Sequence, residues 1–368
     1  GSEMCIRDRF EGVERPESVD AVSLINEAYT ALHRAVKRGP FGFCEYQHIA
    51  FPDNHKLAHP ASAISRKISS WSRSLESYSL ILFRGDNGLS AAINCISPLV
   101  EGQRFIAAGD DLYVLYPSES CDEVRGWVNT ILAKVKDEKL GVSVSAGITL
   151  YPYANLRRSE SAFCCKKALL HAALFGPSSS AVFDHVTLNI SGDVYFGDGD
   201  FTLAIKEYKR GLTCCGDDIN LYNSLGVTLA MMNRIKQAND SFKKALKIDK
   251  ENFMALYNLG LSKQGLGIKD KAVEYLGRAF EVRHQEEVEP HLIKDLKLQL
   301  GILSCETGQY EASLDYIESW LADVGNSVEA GRVYYYQGLN HFSLGNSKNA
   351  IKSLESALRF DSFDDRAL

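Results

Sequence analysis

The chain has 368 residues, of which 45% are hydrophobic and 24% charged, with a net charge of −6. That is an ordinary globular composition with room for two or three domains, and its acidic balance argues against a nucleic-acid surface. No apolar run approaches the ~20 residues of a membrane-spanning helix. The nine cysteines form no C-x-x-C pair, and the one histidine cluster (His48, His55, His59) lacks metal-ligand spacing, so free thiols in a reducing cytoplasm and no cofactor are expected.

Residues 1–14 begin "GSEMCIRDRF", lack the apolar core of a signal peptide and fit nothing downstream, so they read as a remnant. Residues 15–76 read as a divergent N-terminal piece, with a helix at 17–38 and a candidate strand at 41–51 that carries Glu45. From 77 to 184 strands and helices alternate. "SYSLILFR" (77–84) is a buried strand, and 88–99 is a helix ending near Pro98. "QRFIAAGDDLYVLYP" (103–117) is a hairpin turning at Gly109, Asp110 and Asp111. In 121–139, Val124, Trp127, Val128, Ile131, Leu132 and Val135 recur at helical spacing. A strand at 141–152, a helix at 160–176 ending at Gly176 and a strand at 179–184 complete the order β-α-ββ-α-β-α-β. This predicts an α+β domain whose sheet is covered on one side by helices.

Residues 185–368 are expected to be all-α and repetitive. Gly192, Gly226 and Gly260 stand 34 residues apart, and Gly301 and Gly338 continue the series. A small residue follows each glycine by about a dozen positions (Ala204, Ala238, Ala272, Ala312, Ala350), and a large one four positions later (Tyr208, Phe242, Leu276, Tyr316, Leu354). The fourth copy reads as offset by one. A glycine and an alanine let paired helices approach, and the large side chain fills the space between units. The segments "LYNSLGVTLAMMNRIKQANDSFKKALKID" and "ALYNLGLSKQGLGIKDKAVEYLGRAFEV" resemble tetratricopeptide repeats. That resemblance implies an α-solenoid of about five helix pairs with a protein-binding groove. Groove-facing candidates on the first helices are Asn189, Asp193, Asn223, Val227, Tyr257, Leu261, Tyr335 and Leu339. They mix amide, aromatic and aliphatic groups, which suits a helix or an extended peptide.

In the first half, "AAGDDLYVLYP", "VSVSAGI" and "KKALLHAALFGP" resemble, in order, three landmarks of the GGDEF domain of diguanylate cyclases. The resemblance implies two GTP molecules joined to cyclic di-GMP, with Mg²⁺ on acidic groups and cations on the triphosphate. Asp110 falls on a metal-binding acid and Gly109 on a nucleotide-contacting position, while Asp111 replaces the usual Glu. Ala108 replaces the first glycine and Lys166 an Asp, and Ala173 and Pro177 stand where the family has its two phosphate-binding cations. The hairpin is therefore expected to be short of positive charge. The first-strand acid falls either on Glu45 or near Arg84 and Asp86 in "LFRGDN"; the second placement is preferred.

The expected protein is a cytoplasmic bacterial signalling scaffold. It joins a degenerate GGDEF-like domain, in which Asp110 and Asp111 are vestigial, to a repeat array that binds protein, with neither nucleic acid nor membrane as partner and a homodimer allowed. The alternative is an active diguanylate cyclase using Asp110 and Asp111 with Mg²⁺ and GTP.

Overall fold

The computed structural model describes residues 57–86, 91–137, 143–284, 288–324 and 330–360. The predicted helix at 17–38, the strand at 41–51 with Glu45, and His48 and His55 lie outside the described residues. The chain divides into two compact units, Gly1–Glu207 and Tyr208–Leu368.

The first unit opens with helix α1 (Ser62–Ser72) and strand β1 (Tyr78–Gly85). Helix α2 (Ala91–Ile96) leads through a 3₁₀ turn to the hairpin β2 (Arg104–Ala108) and β3 (Asp111–Tyr116). Helix α3 (Cys121–Asp137), β4 (Val144–Tyr151), α4 (Ser161–Ala173) and β5 (Ser180–Val182) follow. The sheet order is β2-β3-β1-β4-β5; all pairs are antiparallel except β4 with β5. The strand at 78–85 is thus central, flanked by the hairpin on one side and by β4 on the other.

The sheet is covered on both faces, not on one. Ile81, Phe83, Leu112, Val114 and Ile148 pack with Val124, Val128 and Ile131 of α3. Leu80, Leu82, Tyr113 and Leu115 pack on the opposite face with Ile64 and Ile68 of α1 and with Cys165 and Leu169 of α4. The physical reason lies in β1 itself: "YSLILF" is an unbroken buried run, whereas a half-exposed strand would alternate polar with apolar. Helix α4 lies so close to β4 that a Cβ at Gly147 would stand 2.1 Å from the Cys165 carbonyl oxygen and 2.4 Å from the Leu169 amide nitrogen. Only glycine fits there.

Asp184 begins α5 (His185–Gly197) by accepting a hydrogen bond from the Thr187 amide (2.8 Å). Lys167 of α4, 1% exposed, donates to Glu207 at the end of this unit (2.5 Å), and Ser191 of α5 donates to the same carboxylate oxygen (3.0 Å). The Lys167 ammonium also stands 4.8 Å from the Phe163 ring, on which His59 stacks at 3.8 Å.

The second unit begins inside α6 (Phe201–Cys215). It continues with the helix pairs α7 (Ile219–Met231) and α8 (Ile235–Ile248), then α9 (Phe253–Gly265) and α10 (Lys269–Val282). Two more pairs follow: α11 (Pro290–Glu306) with α12 (Tyr310–Val324), and α13 (Ala330–Ser343) with α14 (Ser347–Phe360). Asp218 and Asn252 cap α7 and α9 through the Leu221 and Ala255 amides, at 2.8 and 3.0 Å. First helices touch the next first helix as well as their own partner (α7 with α9, α11 with α13), so they form one layer and the second helices the other.

The glycine pattern works within each pair. A Cβ at Gly226 would meet the Phe242 ring at 2.4 Å, and one at Gly260 would meet Leu276 at 2.5 Å. At Gly301 it would meet Ile317 at 2.8 Å, and at Gly338 Leu354 at 2.7 Å. The large residue therefore fills the gap inside its own helix pair, not between units. The fourth copy is not offset either. Ser313 and Ile317, rather than Ala312 and Tyr316, hold the small and large positions. A serine serves because its buried hydroxyl donates to the Gly301 carbonyl (2.6 Å) and accepts from the Asn340 amide (2.7 Å). The wider interval before Gly301 has two sources. Gly301 is the twelfth residue of α11, whereas Gly226 and Gly260 are the eighth of α7 and α9, and the connection preceding α11 is longer.

Candidate functional site

Two places are candidates for functional chemistry, one in each unit. In the helical unit the first helices carry six of the eight predicted groove residues. Asn223, Val227, Leu261, Tyr335 and Leu339 are half-buried on α7, α9 and α13. Tyr257 departs from the expectation. It is 7% exposed, stacks on Phe253 with ring centroids 5.8 Å apart, and belongs to the core with Leu296 and Leu300 of α11. Burial, and then the nearby Asp295 carboxylate, push its phenol above the ordinary tyrosine range, so it stays protonated. Asn223 donates to Asn252 (2.9 Å), the residue that caps α9, so part of its amide holds adjacent repeats together. Asn189, half-buried, and Asp193, exposed, sit on α5 in the first unit.

The predicted groove named no residue of α11, and Leu298 of that helix packs against Ile317, Trp320 and Val333. The same offsets from Gly301 fall on Leu298, half-buried, and Ile302, buried. Two polar links join neighbouring first helices: Gln264 to Gln299 (2.7 Å) and Tyr336 to Glu306 (3.3 Å). Met231 and Phe342, 60% and 71% exposed, add apolar surface near the ends of α7 and α13.

In the sheet unit Gly109 and Asp110 form a two-residue loop between Ala108 and Asp111, which face each other in the ladder. Gly109 takes φ +60°, which the first loop position of such a hairpin requires, and a Cβ there would meet nothing within 4 Å. Asp110 is half-buried at the tip. Asp111 sits between two cations. Its Oδ1 accepts from Arg84 Nε (2.7 Å) and contacts a second guanidinium nitrogen (2.5 Å), and its Oδ2 faces Lys166 Nζ (3.4 Å). The expectation of a hairpin without positive charge is therefore corrected: β1 and α4 each bring one cation. Asp86, just beyond β1, accepts from the Ser178 amide (3.0 Å) and so acts as a turn residue. Ala173 and Pro177 cannot supply cations. Among the described residues no group of three or more His, Cys, Asp or Glu side chains is placed to hold a metal ion. With both Asp111 oxygens facing cations, the residues present do not fit a magnesium–triphosphate site.

Comparison with known proteins agrees with the helical geometry. Residues 219–252, 254–281 and 331–364 match models of the tetratricopeptide repeat, so the second unit carries these repeats. Such repeats bind peptides or proteins. Among curated proteins, a peroxisomal targeting signal receptor of Candida albicans is 26% identical over 211 residues, covering 55% of this chain and 33% of the receptor. A TPR repeat-containing protein of Methanocaldococcus jannaschii is 25% identical over 169 residues, covering 43% of this chain and 29% of that protein. The chain thus spans about a third of the length of these relatives. Among solved structures, the crystal structure of YrrB, described as a TPR protein with an unusual peptide-binding site, aligns with a TM-score of 0.43 and 20% identity over 50% of this chain and 90% of that one. No helix among the described residues is long and apolar enough to cross a membrane.

Proposed function

We propose that this protein is a cytoplasmic signalling scaffold of bacterial type, in which the repeats hold a peptide segment of a partner and the sheet unit is a GGDEF-like domain without cyclase activity. The observation that carries the first part is the four-fold interlock of Gly226, Gly260, Gly301 and Gly338 with Phe242, Leu276, Ile317 and Leu354. It holds each helix pair together, and contacts between neighbouring first helices line them up in a layer that bears Asn223, Val227, Leu261, Tyr335 and Leu339. Aliphatic and aromatic positions interrupted by amides suit a peptide anchored by apolar side chains with its backbone polar groups satisfied. That a relative is a receptor for a targeting signal supports a peptide as ligand.

The element order and the three sequence landmarks support the GGDEF-like reading of the sheet unit. The occupied Asp111 carboxylate, with Ala173 and Pro177 at the cation positions, supports the loss of activity. Two measurements test the proposal. A peptide-display selection on the full chain should yield ligands whose affinity falls at least tenfold in Leu261→Asp; ligands indifferent to that change would reject the groove. Incubation with GTP and Mg²⁺ should give no cyclic di-GMP. Product that disappears in Asp110→Ala would instead establish the cyclase.

A further inference from the structure

The second helices of the last two repeats carry opposite charge at two of three matching exposed positions. On α12, Glu311, Asp315 and Glu318 are all exposed and stand at i, i+4 and i+7, so they form one stripe. The helix contains no lysine or arginine, and its fourth acid, Asp323, pairs with Lys297 of α11 (2.6 Å). On α14 the equivalent positions are Lys348, Lys352 and Glu355, all exposed, and the exposed Arg359 continues the stripe one turn further on; Glu355 is the single acid of this helix. Counting from Gly301 and Gly338, Glu311 matches Lys348 and Asp315 matches Lys352, while Glu318 matches Glu355. Both helices pack against α13 and belong to the second-helix layer. Within the basic stripe Ile351 is 59% exposed.

We infer that this face is a self-complementary surface that takes a second copy of the chain. A two-fold operation lays α12 of one copy on α14 of the other and, by the same operation, α14 on α12. That is the closed, isologous arrangement typical of dimers. Glu311 and Asp315 of each copy then meet Lys348 and Lys352 of the other, and Ile351 gains apolar cover among the lysine stems. A partner carrying only one sign of charge would satisfy one stripe and be repelled by the other, so charge complementarity favours the second copy.

Because the contact is electrostatic and exposed, it depends on ionic strength. The screening length is about 30 Å at about 0.01 M salt and about 3 Å at about 1 M. Sedimentation velocity on the full chain should show a dimer at the low ionic strength that dissociates at the high one. The triple variants E311K/D315K/E318K and K348E/K352E/R359E should each sediment as monomers, with a dimer Kd raised roughly tenfold or more. Mixing the two variants should restore a one-to-one heterodimer, since one then presents two basic stripes and the other two acidic ones. Far-UV circular dichroism matched to the parent excludes unfolding as the cause, and the single changes D315K and K352E repeat the test if a triple variant misfolds. A parent that stays monomeric at low salt, a dimer that survives in both variants, or a mixture that fails to associate would overturn the inference.

Discussion

The two units use close approach in different ways. In the sheet unit Gly147 faces main chain: a side chain there would strike the Cys165 carbonyl oxygen and the Leu169 amide, and neither can move without shifting α4 from the sheet. In the helical unit Gly226, Gly260, Gly301 and Gly338 face chiefly side-chain atoms rather than main chain. The sheet unit thus depends on contacts made once, whereas the helical unit spreads a similar constraint over four tolerant copies. A repeat built this way can vary its exposed faces and keep its stacking, which is the property a binding array needs.

The sharpest test of this contrast is the buried ion pair of the first unit. Lys167→Met leaves Glu207 as a buried, uncompensated carboxylate, and breaking such a pair costs about 3–5 kcal/mol. Lys167→Met combined with Glu207→Met should regain most of that loss, because apolar replacement of both partners removes the desolvation penalty together with the attraction. Urea denaturation read by circular dichroism measures both. A single variant within about 1 kcal/mol of the parent would show that Glu207 finds other partners and that the pair is not a single-use contact.

Next in size is the glycine comparison itself. Gly147→Ala should cost about 3 kcal/mol, the upper end of overpacking penalties, since the obstacle is backbone. Gly226→Ala should cost about 1–2 kcal/mol, because the Phe242 ring can turn aside. Equal losses in the two variants would erase the distinction. Asp111→Asn should cost less again, roughly 1 kcal/mol, because Arg84 is partly exposed and can be resolvated. It should leave the helical unit's melting unchanged.

The same contrast explains what was legible in the sequence. The helical unit announces itself because one physical requirement, a small residue facing a large one across a helix pair, recurs at a fixed interval. Its misreadings came where the requirement was met by unusual chemistry: Ser313 satisfies the small position through hydrogen bonds, so the eye slips to Ala312. The strands of the sheet were readable from apolar runs, but the central place of β1 and the cover on both faces were not read from its buried run. The Arg84–Asp111–Lys166 contact was not readable. It joins residues 27 and 55 positions apart through strand register and helix placement, and no local spacing encodes it.

The smallest expected effect concerns pH and again separates the units. Burial holds His171 of α4 below the ordinary histidine pKa of about 6.5, opposed by the Asp184 carboxylate. His59 is lowered by burial and then by the Lys167 charge. Both histidines are therefore neutral in the native unit at pH values where the unfolded chain already binds protons. Their contribution is present above about pH 6.5 and declines as pH falls through the lowered native values. Urea midpoints between about pH 7.5 and 5.5 should fall for the sheet unit, and His171→Gln should flatten the dependence while keeping a polar partner for Thr187, which now lies 3.0 Å from the imidazole Nδ1. An unchanged slope in that variant would assign the pH response elsewhere and leave His171 a packing residue.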